Sequence, residues 1–87
     1  MQMYYKSRFL ALPMQFRQKV GSRIKEIRAI KQLTQEAVAF SSNVDRTYMN
    51  HVENGKRNVT VETLEKIVCE GLDISIKEFF NSKEFGK

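Results

Sequence analysis

The sequence predicts an all-α domain of five helices, and three observations predict it. Apolar residues recur at three- and four-residue steps along most of the chain, the spacing of a helix's buried stripe. Thr34, Asp45, Thr60 and Ser75 stand at the heads of such stretches, where a side-chain oxygen can accept from free N–H groups. No stretch alternates apolar and polar residues for more than a few positions, so strands have no signal. At 87 residues the chain can bury one small core and no more.

Taken in order, Met1 to Met14 reads as an N-terminal extension. Met3, Tyr4, Tyr5, Phe9, Leu10 and Leu12 follow no clean period, and Pro13 breaks a helix running through it or starts the next. An arm, a short helix or a disordered leader would all fit; its aromatic content favours packing on the body or on a second subunit. A single domain is expected over residues 15–81. Its first helix, Gln15 to Gln32, repeats Phe16, Val20, Ile24, Ile27 and Ile30 between basic residues, and Gly21 is only a mild penalty within it. Thr34 caps a short second helix, Gln35 to Phe40, burying Ala37, Val38 and Phe40, and Ser41-Ser42-Asn43 forms a polar turn. Asp45 caps a third helix that Gly55 stops in a left-handed conformation. Thr60 caps a fourth through about Glu70, with Val61, Leu64, Ile67 and Val68 inward, Cys69 a small filler beside them and Gly71 as the stop. Ser75 and Glu78 have capping-box spacing and open a short fifth helix reaching Phe80. Residues 82–87 read as a frayed tail.

Composition excludes several function classes. Cys69 and His51 are the only residues of their types, so disulfides and a metal site lack ligands. Neither a membrane span nor an export signal is visible, and a cytoplasmic protein of a bacterium or phage, associated with the nucleoid, is expected. No nucleophile–base set, carboxylate pair or phosphate-binding glycine loop appears, so neither an enzyme nor a cofactor is expected. The net charge of +5 divides unevenly: through Asn58 there are 11 Lys and Arg against 4 Asp and Glu, and from Val59 on there are 4 against 6. A basic front and a mildly acidic back suit a polyanion on one side only.

The third helix carries the functional signal. Tyr48, Met49 and Val52 form its buried stripe, which leaves Arg46, Thr47, Asn50, His51 and Asn54 facing out with no carboxylate among them. A short helix, a three-residue turn and a second helix with such a face is the helix-turn-helix arrangement, whose second helix lies in the DNA major groove. Arg46 can pair bidentately with guanine, Asn50 with adenine, and the Thr47 methyl can meet that of thymine. Glu53, the one anion inside this helix, needs a partner turned away from DNA, and Arg28 is the best placed. Of the basic residues on the first helix, only Arg23 and Lys25 are near enough to consider for DNA.

Thr34-Gln35-Glu36, Val44 to Tyr48 and Val52 to Asn58 together resemble the Cro/C1-type (XRE) helix-turn-helix regulators, over about Val20 to Phe80. The Asp45-Arg46-Thr47-Tyr48 run and Arg57-Asn58 further resemble controller proteins of restriction–modification systems. The resemblance implies a compact lambda-repressor-like DNA-binding domain that binds pseudo-palindromic operators as a homodimer and regulates its own and the endonuclease gene, with RNA polymerase as a further contact. It implies base reading by Arg46 and Thr47, supplemented by Asn50 and His51. Gln35, Asn54, Lys56, Arg57 and Asn58 would hold the sugar–phosphate backbone, with Ser42 and the Tyr48 hydroxyl added to that set, and Arg28 with Glu53 would form a buried ion pair. Family members commonly carry Ser where this chain has Asn50, and His51 fits a surface position as well as a DNA contact. Leu72, Ile74, Ile76, Phe79 and Phe80 offer more apolar surface than one small core needs and are the expected dimer face. A phage or mobile-element repressor, or an antitoxin that also binds a toxin protein, are the other readings.

Overall fold

The computed structural model describes the backbone of residues 2–86 and the side chains from Gln15 to Gly86. The packing expected of the Met1–Met14 side chains lies outside the described residues. Among the described residues every regular element is helical: α1 (Gln2–Lys31), α2 (Gln35–Ser42), α3 (Arg46–Glu53), α4 (Val61–Glu65) running on into a π-helical turn (Lys66–Gly71), and α5 (Ile76–Phe80). Helix α1 thus begins upstream of the start expected at Gln15.

Four caps work as their spacing predicts. Thr34 Oγ1 accepts from the Ala37 N–H at 3.0 Å, and Asp45 Oδ2 from those of Thr47 and Tyr48 at 2.9 and 3.3 Å. Thr60 Oγ1 accepts from Thr63 N–H at 3.1 Å and Ser75 Oγ from Glu78 N–H at 3.0 Å. Each such cap contributes about 1 kcal/mol.

Val20, Ile24 and Ile27 of α1 meet Val38 and Ala39 of α2, Met49 and Val52 of α3, and Leu64, Ile67 and Val68 of the fourth helix in one core, closed by Leu72 and Phe79. Several expected core residues are outside it. Phe16, Ile30, Phe40 and Val61 are 48, 71, 86 and 82% exposed. Periodicity assigns each to an apolar stripe, but Ile30, Phe40 and Val61 are left largely uncovered, and Phe16 is covered only on the side that meets Phe80 and Phe85. On α2 the buried pair is Val38 and Ala39, while Ala37 and Phe40 face solvent.

Helix ends also differ from expectation. α2 continues through Ser42 because Asn43 takes the left-handed conformation (φ 58°) and returns its N–H to Ala39 and Phe40 carbonyls. The fourth helix widens into its π turn and ends at Gly71 as expected, with Asp73 beyond it in the left-handed conformation (φ 59°). The tail is not frayed over its described residues. Phe85 packs edge-on to Phe80 at 4.8 Å between ring centroids and to Phe16 at 5.9 Å, and Phe16 stacks on Phe80 at 6.2 Å.

Two basic residues of α1 hold the C-terminal half to it. Arg23 donates from Nε to Phe79 O (2.8 Å) and from Nη2 to Glu78 O (3.0 Å), and Lys31 Nζ donates to Leu72 O (2.7 Å) and Asp73 O (3.1 Å). Cations on the terminal carbonyls of helices satisfy acceptors that have no partner within the helix. Arg23 is thereby withdrawn from the DNA contacts considered for it.

Gly21 sets the crossing of α1 and α3. A Cβ there would press on the Val52 and Glu53 carbonyls, the former only 2.6 Å away. Helix propensity alone would favour Gly21→Ala by up to about 1 kcal/mol. Backbone atoms cannot yield as a side chain can, so overpacking should win and urea denaturation should show a net loss of about 1–3 kcal/mol.

Candidate nucleic-acid interface

Helix α3 begins where Asp45 caps it and ends at Glu53, with Asn54 as its C-cap and Gly55, whose φ of 71° is left-handed, turning the chain away. Met49 and Val52 anchor it in the core, which turns Arg46, Thr47 and Asn50 outward. These three exposed residues and half-buried Gln35 line one shallow cleft of about 260 Å³ on the outer surface. A guanidinium, a hydroxyl with its methyl, and two carboxamides supply the donors and acceptors that base edges match, with no anion to repel phosphate. His51 is half-buried and is not among the residues lining that cleft.

Beyond the helix, Asn54, Lys56, Arg57 and Asn58 are all exposed. The Arg57 guanidinium lies over the half-buried Tyr48 ring, 5.2 Å from its centre, a cation–π contact that holds the cation beside α3. The loop therefore adds positive charge next to the cleft.

Glu53 faces inward at 3% exposure. Arg28 grips it with both arms, Nε to Oε2 at 2.7 Å and Nη2 to Oε1 at 2.9 Å, and gives its Nη1 to Leu33 O at 3.0 Å. Gln35 Nε2 donates to Glu53 Oε1 at 3.1 Å. The other end of the Gln35 amide accepts from Asn50 Nδ2 at 3.4 Å, Asn54 Nδ2 donates to Asn50 Oδ1 at 3.2 Å, and Lys25 Nζ donates to Asn54 Oδ1 at 3.3 Å. The outward amides and the buried ion pair are thus one connected set. Lys25, considered from sequence only as a direct contact, belongs to this set, and no local pattern marked the link because its partner is on another helix.

Two sets of expected site residues need correction. Ser42 is fully buried, donates to Val38 O at 2.6 Å and packs against Gly71, so its hydroxyl cannot reach DNA. It stands on the inner side of α2 because the helix runs two residues past the expected end at Phe40. In the expected dimer face, Leu72 and Phe79 are fully buried in the monomer's own core and cannot meet a second copy. Phe80 is half-buried in the aromatic cluster with Phe16 and Phe85, and Ile74 and Ile76 are half-buried against the core. Leu72 and Phe79 thus close the monomer, and Ile74, Ile76 and Phe80 are the residues of that set that keep part of their surface exposed.

An apolar groove of about 460 Å³ lies on another face, where Phe16 and Val20 of α1 approach Val52, Val59, Val61 and Leu64. Arg17, Lys19, Arg57 and Asn58 are at its border, and no Asp or Glu lines it.

Comparison with known proteins matches this geometry. A helix-turn-helix family profile covers residues 24–79. The chain is 45% identical over 65 residues to the control protein C.MunI of a Mycoplasma species, which spans 74% of this chain and 86% of that relative. The solved structure of the restriction–modification controller protein C.Esp1396I, a tetramer in complex with its natural 35 base-pair operator, is similar at a TM-score of 0.75 and 44% identity, over 82% of this chain and 95% of that one. The controller protein C.AhdI from Aeromonas hydrophila gives a TM-score of 0.68 at 42% identity, over 74% of this chain and 96% of that one.

Arg28→Met would strand the Glu53 carboxylate in the core, and thermal or urea denaturation should show a loss of about 3–5 kcal/mol. Replacing both members, Arg28→Met with Glu53→Met, should recover much of that loss. An equal loss in the single and double variants would mean that Arg28 stabilises through its Leu33 contact rather than through the pair.

Proposed function

The chain belongs to the helix-turn-helix family and, within it, to the restriction–modification controller proteins, and from that membership we propose how its own residues regulate transcription. It binds a pseudo-palindromic operator as a homodimer and controls its own gene and that of the associated endonuclease. Helix α3 enters the major groove. Arg46 and Thr47 read bases, Asn50 supplements them, and His51 stays at the margin. Gln35, Asn54, Lys56, Arg57, Asn58 and the Tyr48 hydroxyl hold the sugar–phosphate backbone. The observation that carries this reading is the cleft shared by Gln35, Arg46, Thr47 and Asn50, which presents only hydrogen-bonding and cationic groups on an inwardly anchored helix. An operator-bound dimer lies within reach of RNA polymerase at the adjoining promoter, which we include as a contact. A protein of this kind works in the cytoplasm, on the nucleoid.

One reading helix samples only a few base pairs, and a second copy one helical turn away multiplies the discrimination. We place the pairing surface at the groove rather than at the C-terminal face. Val61 and Phe16, two of the four exposed large apolar residues among the described side chains, line it, and the loop that carries Arg57 and Asn58 borders it.

Arg46→Ala should cost about 1–3 kcal/mol on the specific duplex and relax preference at one base pair per half-site. Equal losses on specific and random DNA would reduce Arg46 to a phosphate contact. For pairing, Val61→Asp changes an exposed side chain and should leave the fold intact while shifting sedimentation toward monomer and weakening operator binding. Ile30→Asp, equally exposed but outside the groove, should leave the dimer unchanged. A Val61→Asp protein that still sediments as a dimer would remove the groove as the interface.

A further inference from the structure

The polar set around α3 has a direction. Lys25 Nζ donates to Asn54 Oδ1, Asn54 Nδ2 to Asn50 Oδ1, Asn50 Nδ2 to Gln35 Oε1, and Gln35 Nε2 to Glu53 Oε1. Three carboxamides therefore lie head to tail between an ammonium and a carboxylate. An ammonium has donors only and an ionised carboxylate acceptors only, so the chain can be filled in one sense. Turning one amide over would set NH₂ against NH₂ or NH₃⁺ on one side and oxygen against oxygen on the other. An isolated exposed Asn amide has no such preference, because its terminal torsion is broad and roughly two-fold. Aligned bonds also polarise one another, so each link supports the next.

Glu53, held by Arg28, ends the set on the inner side, and Lys25, bonded to Asn54, ends it on the outer side. Asn50 sits in the middle with one amide hydrogen and one oxygen lone pair still available on the exposed face. To pair with adenine, a carboxamide must place its oxygen toward N6 and its nitrogen toward N7. Which end of the amide is free for which atom is decided by the chain. We infer that Lys25 is a specificity-positioning residue: acting through Asn54, it locks from the outer side the orientation of Asn50 that Glu53, through Gln35, favours from the inner side. The inference rests on α3 being the DNA-reading helix.

Two roles for Lys25 make different predictions. A lysine on a phosphate contributes to affinity on every sequence and to the salt slope. A lysine that orients an amide contributes to discrimination and leaves the slope alone. The full-length protein and its Lys25→Met variant, which keeps the aliphatic stem, should be compared on the duplex that the wild type selects from a random pool. Single base-pair replacements across each half-site complete the set. We expect Lys25→Met to lose about tenfold in discrimination at the base pair facing Asn50, with the slope of log Kobs against log salt unchanged. Asn54→Ala, which also removes a backbone contact and so weakens binding to every sequence, should show the same loss of discrimination, and the double variant no further loss of discrimination. In the free protein, the side-chain NH₂ signals of Asn50, Asn54 and Gln35 should shift in Lys25→Met. A slope reduced by about one, unchanged discrimination, additive losses or unshifted amide signals would each overturn the role of Lys25. Absence of any sequence preference in the wild type would instead overturn α3 as the reading helix, and the free-protein spectra would still decide whether Lys25 orders the amides.

Discussion

A carboxylate withdrawn from water must have its acceptor sites filled, and the arrangement of this domain follows from how Glu53 meets that demand. Its side chain is almost wholly buried, and Arg28 and Gln35 supply three donors to it. Because Arg28 also holds the Leu33 carbonyl, the pair ties the end of α1, the start of α2 and the last turn of α3 to one another. Such a pair need not be more stable than an apolar replacement, since desolvating two ions offsets much of their attraction. What it does specify is geometry. The one anion of α3 points inward, and the outward face is left without a carboxylate to repel a phosphate chain.

The rest of the basic front half divides by use. Arg23 and Lys31 are occupied with carbonyls near the C-terminal ends of α5 and the π turn, where they join the acidic half of the chain to α1. Counted in the sequence, they looked like part of a polyanion-binding surface. In the fold they substitute for hydrogen bonds that the helix ends cannot make themselves. Arg46 lines the outward cleft of α3, and Lys56 and Arg57 are exposed in the loop that follows it.

What was legible in the sequence was local or periodic. Thr34, Asp45, Thr60 and Ser75 bond to backbone N–H groups two or three residues on, so their role needs no knowledge of the rest of the chain. The pairing of Arg28 with Glu53 was legible for another reason: an anion on a DNA-facing helix must be neutralised, and few cations could reach it. What depends on a distant neighbour was not legible. Phe40 and Val61 sit at core spacing, yet spacing cannot say whether another helix arrives to cover them. Gly71 reads as a stop signal, but it allows the π turn to press on Val38 and Ser42 of α2. Leu72 and Phe79 read as surplus for a second subunit because the depth of the core, closed by an aromatic tail residue in Phe85, could not be counted from the chain.

The position of Arg57 connects the two surfaces on which the proposed function depends. Its guanidinium stacks on Tyr48 of α3, and the same residue borders the apolar groove. Pairing at that groove would bury Val61 and Phe16 and confine the neighbouring loop, so part of the entropy of ordering Lys56 to Asn58 would be lost on dimerisation rather than on DNA binding. A clamp ordered in advance binds more tightly for the same contacts, because immobilising rotamer-rich side chains costs about 0.5–1.5 kcal/mol each. Through the loop between α3 and α4, pairing at that groove would couple assembly to DNA affinity.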